Sequence, residues 1–164
     1  MIPERIYVEG FLCYREAQQA CFDGCSLWLL VGPNGSGKSA LFDAITYSLF
    51  GQHRAGRHNA RGLINNKCDG FTVAFDFRSG SQRLRAQRTL SRHAGPTRQL
   101  YEWRKTDQEV SWSPIRDTQS EKGFSRWVKS NLNLSYEAFT ASVLLLQGHA
   151  DNLLQVGPAE RHDL

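Results

Sequence analysis

The chain has 164 residues, of which 40% are apolar and 22% charged, with 14 Gly and 5 Pro. These proportions are typical of about one folded domain and exclude a collagen, a coiled coil and a disordered chain. The formal net charge is only +4, but residues 54–105 hold 12 basic and three acidic side chains, an excess of nine. Such a charge split favours one basic face for an anionic partner.

No apolar run approaches the roughly 18 residues that a membrane-spanning helix needs. The first residues lack the basic and then apolar regions of a secretory signal. The four cysteines contain no C-x-x-C pair, which is typical of reduced thiols in a cytosolic protein. We therefore expect a cytoplasmic protein with no membrane partner.

Two apolar patterns at the start of the chain predict strands. Residues 5–9 alternate, with Ile6 and Val8 turned inward, so we expect a half-buried strand there. Residues 26–31 are nearly continuously apolar and end at Gly32, which predicts a fully buried strand.

From Lys38 onward the apolar period becomes helical. Leu41, Ile45 and Leu49 share one stripe, and Gly51 stands where a left-handed cap would end the helix. The next stretch, residues 52–68, is rich in Arg, His, Asn and Gly and predicts a long loop, and loops of that length tend to be functional.

The middle of the chain predicts a small antiparallel layer that carries most of the arginines. Residues 71–77 and 84–90 alternate on either side of a turn at residues 79–81, which indicates a β-hairpin, and residues 99–105 add a strand. Helices are expected over residues 117–131 and, capped by Ser135, up to Phe139.

The last residues predict a short strand over 143–146 and the start of a helix at residues 157–161. A domain rarely ends one turn into a helix. We therefore expect this chain to be the front part of a longer polypeptide.

Residues 32–39 match the complete P-loop pattern G-x-x-x-x-G-K-[ST], between a predicted strand and a predicted helix. Gly35 and Gly37 allow the backbone to turn its N–H groups inward as an anion nest. Lys38 would reach the β and γ phosphates, and the Ser39 hydroxyl would bind Mg²⁺. The alternative is a glycine-rich turn that binds nothing. The predicted nucleotide-binding residues of this loop are Pro33, Asn34, Gly35, Ser36, Gly37, Lys38, Ser39 and Ala40.

The segment GPNGSGKSALFDAITYSLFG, residues 32–51, resembles the first half of the head of SMC-type ABC ATPases, and most closely the SbcC-like subunit of break-repair nucleases. Residues 5–11 resemble the opening strand of that head, residues 142–154 its Q-loop, and residues 158–161 the helix that leads into its coiled coil. The resemblance implies an α/β fold in which residues 1–164 form one N-terminal lobe. This is lobe I of a P-loop NTPase head of the ABC type: a P-loop strand and helix plus an antiparallel β layer, incomplete without the C-terminal half.

The same resemblance implies ATP and Mg²⁺ as cofactors, with Ser39 and Gln147 at the metal. It also places the backbone of Leu63 and Ile64 beside the nucleotide and makes Arg15 a candidate for contact with the base. Without the resemblance, Gln147 is a surface polar residue, and Leu63 and Ile64 are packing residues.

The resemblance further implies that ATP hydrolysis drives head dimerisation and DNA binding in double-strand-break repair. The implied partners are a second head in a homodimer, an SbcD-like nuclease subunit and double-stranded DNA, in the cytoplasm at the nucleoid. The Walker B and signature motifs would lie in the C-terminal half. Residues 72–76 and 78–82 imitate these motifs, but we interpret them as one hairpin. We therefore expect the chain alone to hydrolyse essentially no ATP.

Three arginines on the predicted hairpin, Arg83, Arg85 and Arg88, are candidate contacts to DNA phosphate. The alternative is a solvated sheet edge whose arginines pair with distant acids. Trp103 and Trp112 stand at strand spacing, and we expect them in the core. Two other functions stay open on the sequence alone: a small stand-alone P-loop phosphotransferase, and a non-catalytic DNA-binding module.

Overall fold

The computed structural model describes residues 1–22, 28–54, 60–105 and 110–142. The helices are α1 (Lys38–Phe50), α2 (Glu121–Leu132) and α3 (Tyr136–Ser142), with a 3-10 turn at Ala60–Leu63. The strands are β1 (Ile2–Glu9), β2 (Gln18–Cys21), β3 (Gly70–Ser79), β4 (Gln82–Ser91), β5 (Thr97–Lys105) and β6 (Val110–Pro114).

All six strands form one antiparallel sheet in the order β2-β1-β3-β4-β5-β6. The predicted hairpin of β3 and β4 is confirmed, with unbroken pairing from Gly70 opposite Ser91 to Ser79 opposite Gln82. Its turn needs Gly80, whose φ of +59° lies in the left-handed region. The stretches that imitate the Walker B and signature motifs are therefore parts of this hairpin.

The sheet has an inner face, covered by α1, and an outer face on the opposite side. Along β3 the inner residues are the aromatic and β-branched ones, and Val73, Phe75 and Phe77 are at most 1% exposed. Tyr47 of α1 meets Phe71 edge to face with ring centroids 5.4 Å apart. Ile6 and Val8 of β1 join the same core, as predicted.

Helix α1 begins at Lys38 and ends as predicted. Gly51 caps it in the left-handed conformation, with its backbone N–H donating to the Tyr47 carbonyl. Almost the whole helix is buried, and the hydroxyls of Thr46 and Ser48 donate to carbonyls of the preceding turn. These bonds satisfy the polar side chains of a helix that is covered on most sides.

Helices α2 and α3 are held by the serine caps that the sequence favours. Ser120 Oγ accepts from the Gly123 N–H at 3.0 Å, and Ser135 Oγ accepts from the Ala138 N–H at 3.0 Å. Helix α2 starts later than predicted because Asp117 has a φ of +63°, which is outside the helical region.

The predicted buried strand before the P-loop is wrong where the structure describes it. Residues 28–31 are outside any strand and are exposed, with Leu29 at 85% and Val31 at 74%. An apolar run is buried as a strand only if neighbouring strands cover it. Trp28 of this segment contacts Phe22, whose ring lies edge to face against the indole with centroids 5.6 Å apart.

Strands β2 and β6 lie at the two edges of the sheet, and the sequence pattern did not predict them. Cys13, Cys21 and Cys68 are free thiols. The longest described helix, α1, has 13 residues, and no described helix is long and apolar enough to cross a membrane. The strand predicted over residues 143–146 and the helix start at residues 157–161 lie outside the described residues.

Candidate nucleotide site

The P-loop backbone has the conformation that its glycines were expected to allow. Gly35 and Gly37 have φ values of +82° and +92°, which side chains disfavour. A Cβ on Gly37 would lie 2.9 Å from Cys13 Sγ and 3.0 Å from the Tyr14 hydroxyl oxygen. Around Gly35, in contrast, no atom of the residues that the structure describes lies within 4 Å of the Cβ position. The backbone at Gly35 is therefore open to a ligand.

Lys38 folds its side chain back over the loop. The Nζ ammonium donates to the carbonyls of Gly32 at 2.6 Å and Pro33 at 2.7 Å. These two bonds hold the positive charge at the mouth of the loop. An ammonium has three N–H donors, so one is left that can point to an anion.

The first turn of α1 adds to the positive potential. Its N-cap residue is Gly37, no side chain caps the helix, and the first turn holds no acidic residue. The backbone N–H groups of a first turn have no partner within the helix, and the helix dipole adds positive charge there. Together these groups form a binding site for a phosphate or another anion.

A pocket of about 350 Å³ opens at this helix start. Among the described residues, the lining contains two cationic side chains, Lys38 and Arg54, and no acidic one. Six of the predicted residues line it: Asn34, Gly35, Gly37, Lys38, Ser39 and Ala40. Pro33 and Ser36 lie in the loop, where the Ser36 N–H donates to the Pro33 carbonyl at 3.3 Å.

A tight turn after β1 forms one wall of the pocket, and the sequence pattern did not predict it. Phe11 and Tyr14 exchange both backbone hydrogen bonds, and Leu12 between them has a φ of +48°. The Tyr14 hydroxyl donates to the Gly37 carbonyl at 3.2 Å. Burial raises the pKa of Tyr14, and the neighbouring Cys13 adds to the effect. The tyrosine therefore stays neutral and able to donate.

Leu63 and Ile64 support this turn rather than line the pocket. Their side chains are 3% and 5% exposed in the core, while the Leu63 carbonyl accepts from the Leu12 N–H at 2.7 Å. Arg15, the candidate for base contact, borders a different pocket, where β3 begins and β4 ends. Its guanidinium is exposed, and the P-loop pocket does not include it.

Arg54 is a second cationic lining residue, and the sequence pattern did not place it at this pocket. Its guanidinium pairs with Asp43 of α1 at 2.9 Å, and its backbone N–H donates to the same carboxylate at 3.1 Å. Asp43 is buried on the helix, so the arginine is fixed beside the P-loop. Asp43 stands among apolar residues of the predicted helix, five residues after Lys38. An acid at such a position indicates a cationic partner, and this was the signal in the sequence for the ion pair with Arg54.

The residues present fit a magnesium ion that is held mainly by phosphate. Among the described residues, no group of three or more His, Cys, Asp or Glu side chains could hold a metal. Mg²⁺ often takes only one or two protein ligands beside phosphate and water. The Ser39 hydroxyl, in the first turn of α1 and in the pocket lining, could be such a ligand. Gln147, the other predicted ligand, lies outside the described residues.

The three arginines proposed for DNA lie on different faces of the sheet. Arg83 and Arg85 lie on the outer face, where Glu4 and Asp76 accept their hydrogen bonds. Arg88 lies on the inner face, 4% exposed, and donates to the Ser48 carbonyl and to Glu121. A DNA phosphate could reach Arg88 only if these buried bonds were broken.

Trp103 and Trp112 are not core residues, so the expectation for them is wrong. They sit opposite each other on β5 and β6, half-buried on the outer face, with ring centroids 5.0 Å apart. Strand spacing puts side chains on one face but does not say which face the helices cover.

Comparison with known proteins shows the family to which the chain belongs. A sequence profile of the AAA_23 family, described as an AAA domain, matches residues 5–157. The chain belongs to the AAA_23 family of AAA domains. It is 31% identical over 165 residues to the SbcC component of the nuclease SbcCD from Deinococcus radiodurans. It is also 30% identical over 162 residues to the Thermoplasma volcanium DNA double-strand break repair Rad50 ATPase.

The alignments cover 100% and 98% of this AAA_23 chain but only 18% and 17% of the two relatives. The chain thus spans less than a fifth of their length. A solved structure described as ATP-driven dimerization and DNA stimulated activation of SMC ATPases matches with a TM-score of 0.66. That match covers 99% of this chain and 96% of the other at 17% identity. The fold is therefore that of an SMC ATPase head, with the α/β architecture that the sequence predicted.

The structure of the recombination mediator protein RecF with ATP gives a TM-score of 0.55 at 20% identity, over 73% of this chain and 30% of that one. At this identity the match concerns the fold alone.

Proposed function

We propose that this chain binds ATP with Mg²⁺ at the P-loop and is the N-terminal lobe of an SbcC-like ATPase head. The observation that carries the proposal is the pocket at the start of α1, which combines an uncapped helix N-terminus, Lys38 and Arg54 and has no acidic lining residue. Such a pocket suits a polyphosphate, because its groups favour negative charge.

Each P-loop residue has a distinct part in this proposal. The backbone N–H groups around Gly35 and Gly37 bind phosphate oxygens, and Lys38 carries its ammonium from the loop carbonyls to the β and γ phosphates. The Ser39 hydroxyl would hold Mg²⁺, which would supply positive charge next to the phosphates. Pro33, Ser36 and Ala40 keep the loop and helix start in shape. The backbone of Leu63 and Ile64 supports one wall of the pocket, because the Leu63 carbonyl accepts a hydrogen bond from the Leu12 N–H.

We further propose that a C-terminal lobe supplies the Walker B carboxylates and the signature motif, and that the chain alone does not hydrolyse ATP. The exposed apolar segment of residues 28–31 supports this part of the proposal, since a strand from another lobe would cover it. Asp76, the acid that imitates Walker B, is 1% exposed and accepts from Arg5 and Arg85. It is therefore already engaged.

In the complete protein, ATP would hold two heads together as a homodimer, next to an SbcD-like nuclease subunit. The names of the relatives, a nuclease component and a break repair ATPase, support the nuclease partner and a role in double-strand-break repair. We place this role at the nucleoid, where the DNA is. Double-stranded DNA would contact Arg83 and Arg85 of the outer face through its phosphates. We leave Arg88 out of this contact because it is buried.

Calorimetric titration of the chain with Mg-ATP tests the proposal. We expect measurable binding, and we expect Lys38→Ala to weaken it by about 10- to 100-fold, since a hydrogen bond to a charged group contributes roughly 1.5–3 kcal/mol. Lys67→Ala is the matched control, because Lys67 is exposed and outside the pocket lining. Equal affinity of wild type and Lys38→Ala would show that the P-loop is not the nucleotide site.

A further inference from the structure

The outer face of the sheet carries a cluster of arginine and tryptophan side chains that the nucleotide site does not use. The pairing register puts Arg78 of β3 opposite Arg83 of β4, and Trp103 of β5 opposite Trp112 of β6. In the next row, Asp76 of β3 stands between Arg5 of β1 and Arg85 of β4. We call this set the arginine–tryptophan face; its members are Glu4, Arg5, Asp76, Arg78, Arg83, Arg85, Trp103 and Trp112.

Guanidinium groups stack against the two indole rings. Arg83 Cζ lies 5.3 Å from the ring centroid of Trp103 and 5.7 Å from that of Trp112. Arg85 Cζ lies closer, 4.3 Å from the centroid of Trp112. Such cation–π contacts fix the planes of both the arginines and the rings.

Two carboxylates with little exposed surface accept hydrogen bonds from the guanidinium groups of the arginines. Asp76 accepts from Arg5 Nη2 at 2.7 Å and from Arg85 Nη2 at 2.8 Å, and Glu4 pairs with both Arg78 and Arg83. The side chains of Asp76 and Glu4 are only 1% and 15% exposed, whereas those of Arg78 and Arg83 are 54% and 40% exposed. Four arginines against two acids leave an excess of two positive charges, and the exposed part of the cluster is the positive part.

We propose that the arginine–tryptophan face binds single-stranded DNA, with phosphates at Arg78 and Arg83 and unpaired bases stacked beside Trp103 and Trp112. Aromatic rings next to cations are typical of sites that bind single-stranded DNA. The bases stack on the rings, and the phosphates pair with the cations. In a duplex the faces of the bases are stacked on one another and closed to the rings. An acidic peptide would pair with the arginines but would gain nothing from the two indoles, because it has no flat base to stack beside them.

This proposal deepens the DNA-binding part of the proposed function and rests on it, while its residues are separate from the nucleotide site. A duplex can contact only the arginines of this face, through its phosphates, whereas a single strand can add base stacking at the indoles. The P-loop leads into α1, which packs on the inner face, and none of the residues of the arginine–tryptophan face lines the P-loop pocket. Loss of one site should therefore leave the other intact, so the two proposals can fail independently.

The test measures binding of the full chain to a labelled oligo-dT of about 15 nucleotides by fluorescence anisotropy, together with quenching of tryptophan emission. We expect tighter binding of this strand than of a duplex of equal length. Trp112→Ala should weaken binding about tenfold, and Arg83→Gln should lower the slope of log affinity against log salt by roughly one. Trp112→Phe keeps a ring and should retain most of the affinity, which separates stacking from a folding defect.

Arg104→Ala is the matched control, since Arg104 is adjacent to Trp103 on β5 but on the other face of the sheet, with 63% of its side chain exposed. Its affinity should stay within about twofold of wild type. The proposal is overturned if the chain does not bind oligo-dT, if Trp112→Ala and Arg104→Ala bind alike, or if only poly-glutamate binds.

Lys38→Ala separates this proposal from the nucleotide site. This variant should lose its affinity for Mg-ATP and keep its affinity for oligo-dT. If the wild-type chain binds oligo-dT but not Mg-ATP, only the proposed nucleotide site is contradicted. If it binds Mg-ATP but not oligo-dT, only the proposal for the arginine–tryptophan face is contradicted.

Discussion

Single residues determine the shape of the P-loop before any ligand is present. Lys38 is bonded to two carbonyls of its own loop, and Tyr14 donates to the carbonyl of Gly37. The two glycines in the left-handed region have different surroundings, because one faces open space and the other faces the turn after β1. The loop is thus held from one side and open on the other, where phosphate would bind.

Alanine at the two glycines should separate backbone strain from steric contact. Gly35→Ala should cost roughly 1 kcal/mol of stability, because a Cβ at positive φ is strained. Gly37→Ala should cost more, since its Cβ would also press on Cys13 and Tyr14 at 2.9 and 3.0 Å. Urea unfolding of both variants measures the difference. Equal losses would mean that the turn after β1 does not pack against the loop.

At the scale of elements, a buried arginine joins the sheet to two helices. Arg88 of β4 donates to the Ser48 carbonyl of α1 and to Glu121 at the start of α2, and its Cζ lies 4.4 Å from the ring centroid of Phe124. Glu121 also pairs with Arg98 at 3.0 Å. The position of α2 on the sheet therefore depends on one carboxylate and two guanidinium groups.

The stability of the chain should depend on pH through Glu121. Burial raises the pKa of Glu121, but the hydrogen bond and charge of Arg88 and the charge of Arg98 outweigh it, so the folded pKa lies below 4.5. A lowered folded pKa contributes stability above pH 4.5 that is lost as the pH falls through the folded value. Glu121→Gln should thus destabilise the chain at pH 7, by less than about 1 kcal/mol because half of the side chain is exposed.

Thermal unfolding of Glu121→Gln and wild type at pH 7 and at low pH checks this prediction. The two proteins should differ at pH 7 and converge in acid. Glu137→Gln, which changes an exposed acid in the first turn of α3, is the control. A pH-independent difference between wild type and Glu121→Gln would contradict the ion pair.

Local patterns in the sequence predicted the elements that depend on near neighbours. The hairpin of β3 and β4, the helix from Lys38 to its Gly51 cap and the Ser135 cap of α3 all follow from spacing or from one capping residue. The P-loop pocket followed from a motif. What the sequence did not predict depends on contacts between distant residues: the turn of residues 11–14 against Gly37, the pair of Asp43 and Arg54, and the side of the sheet on which each arginine lies.

The failed strand prediction has the same physical origin. A continuous apolar run predicts burial, but burial needs a covering element, and the described part of the chain does not cover residues 28–31. The same holds for Trp103 and Trp112, because strand spacing predicts that alternate residues share a face but does not say which face the helices cover. The period of apolar residues along a strand predicts which residues share a face, whereas tertiary contacts determine which face packs in the core.

On the scale of the whole molecule, the sheet separates two surfaces of different chemistry. The P-loop and α1 lie on the inner side, with the pocket for polyphosphate, and the arginine–tryptophan face lies on the outer side. The exposed run at residues 28–31 also leaves apolar surface in water, which is unusual for a monomer when it is contiguous. That run is the surface on which we propose that the C-terminal lobe packs.

Polar substitution in this run should therefore leave the isolated chain folded. Leu29→Ser should change the free energy of unfolding by no more than about 0.5 kcal/mol, because the side chain is 85% exposed. It should also reduce aggregation, as measured by light scattering. Ile6→Ser, at a residue that is 0% exposed, is the contrasting variant and should unfold the chain. A large loss for Leu29→Ser would show that the run is already packed.

The central claim is that nucleotide binds at the start of α1. The most direct measurement is a titration of the ¹⁵N-labelled chain with Mg-ATP, following backbone amide resonances. We predict that the amides of residues 34–40 shift, together with Cys13 and Arg54 at the rim of the pocket, while those of the arginine–tryptophan face stay in place. Unchanged resonances at residues 34–40, with saturating Mg-ATP present, would contradict the account.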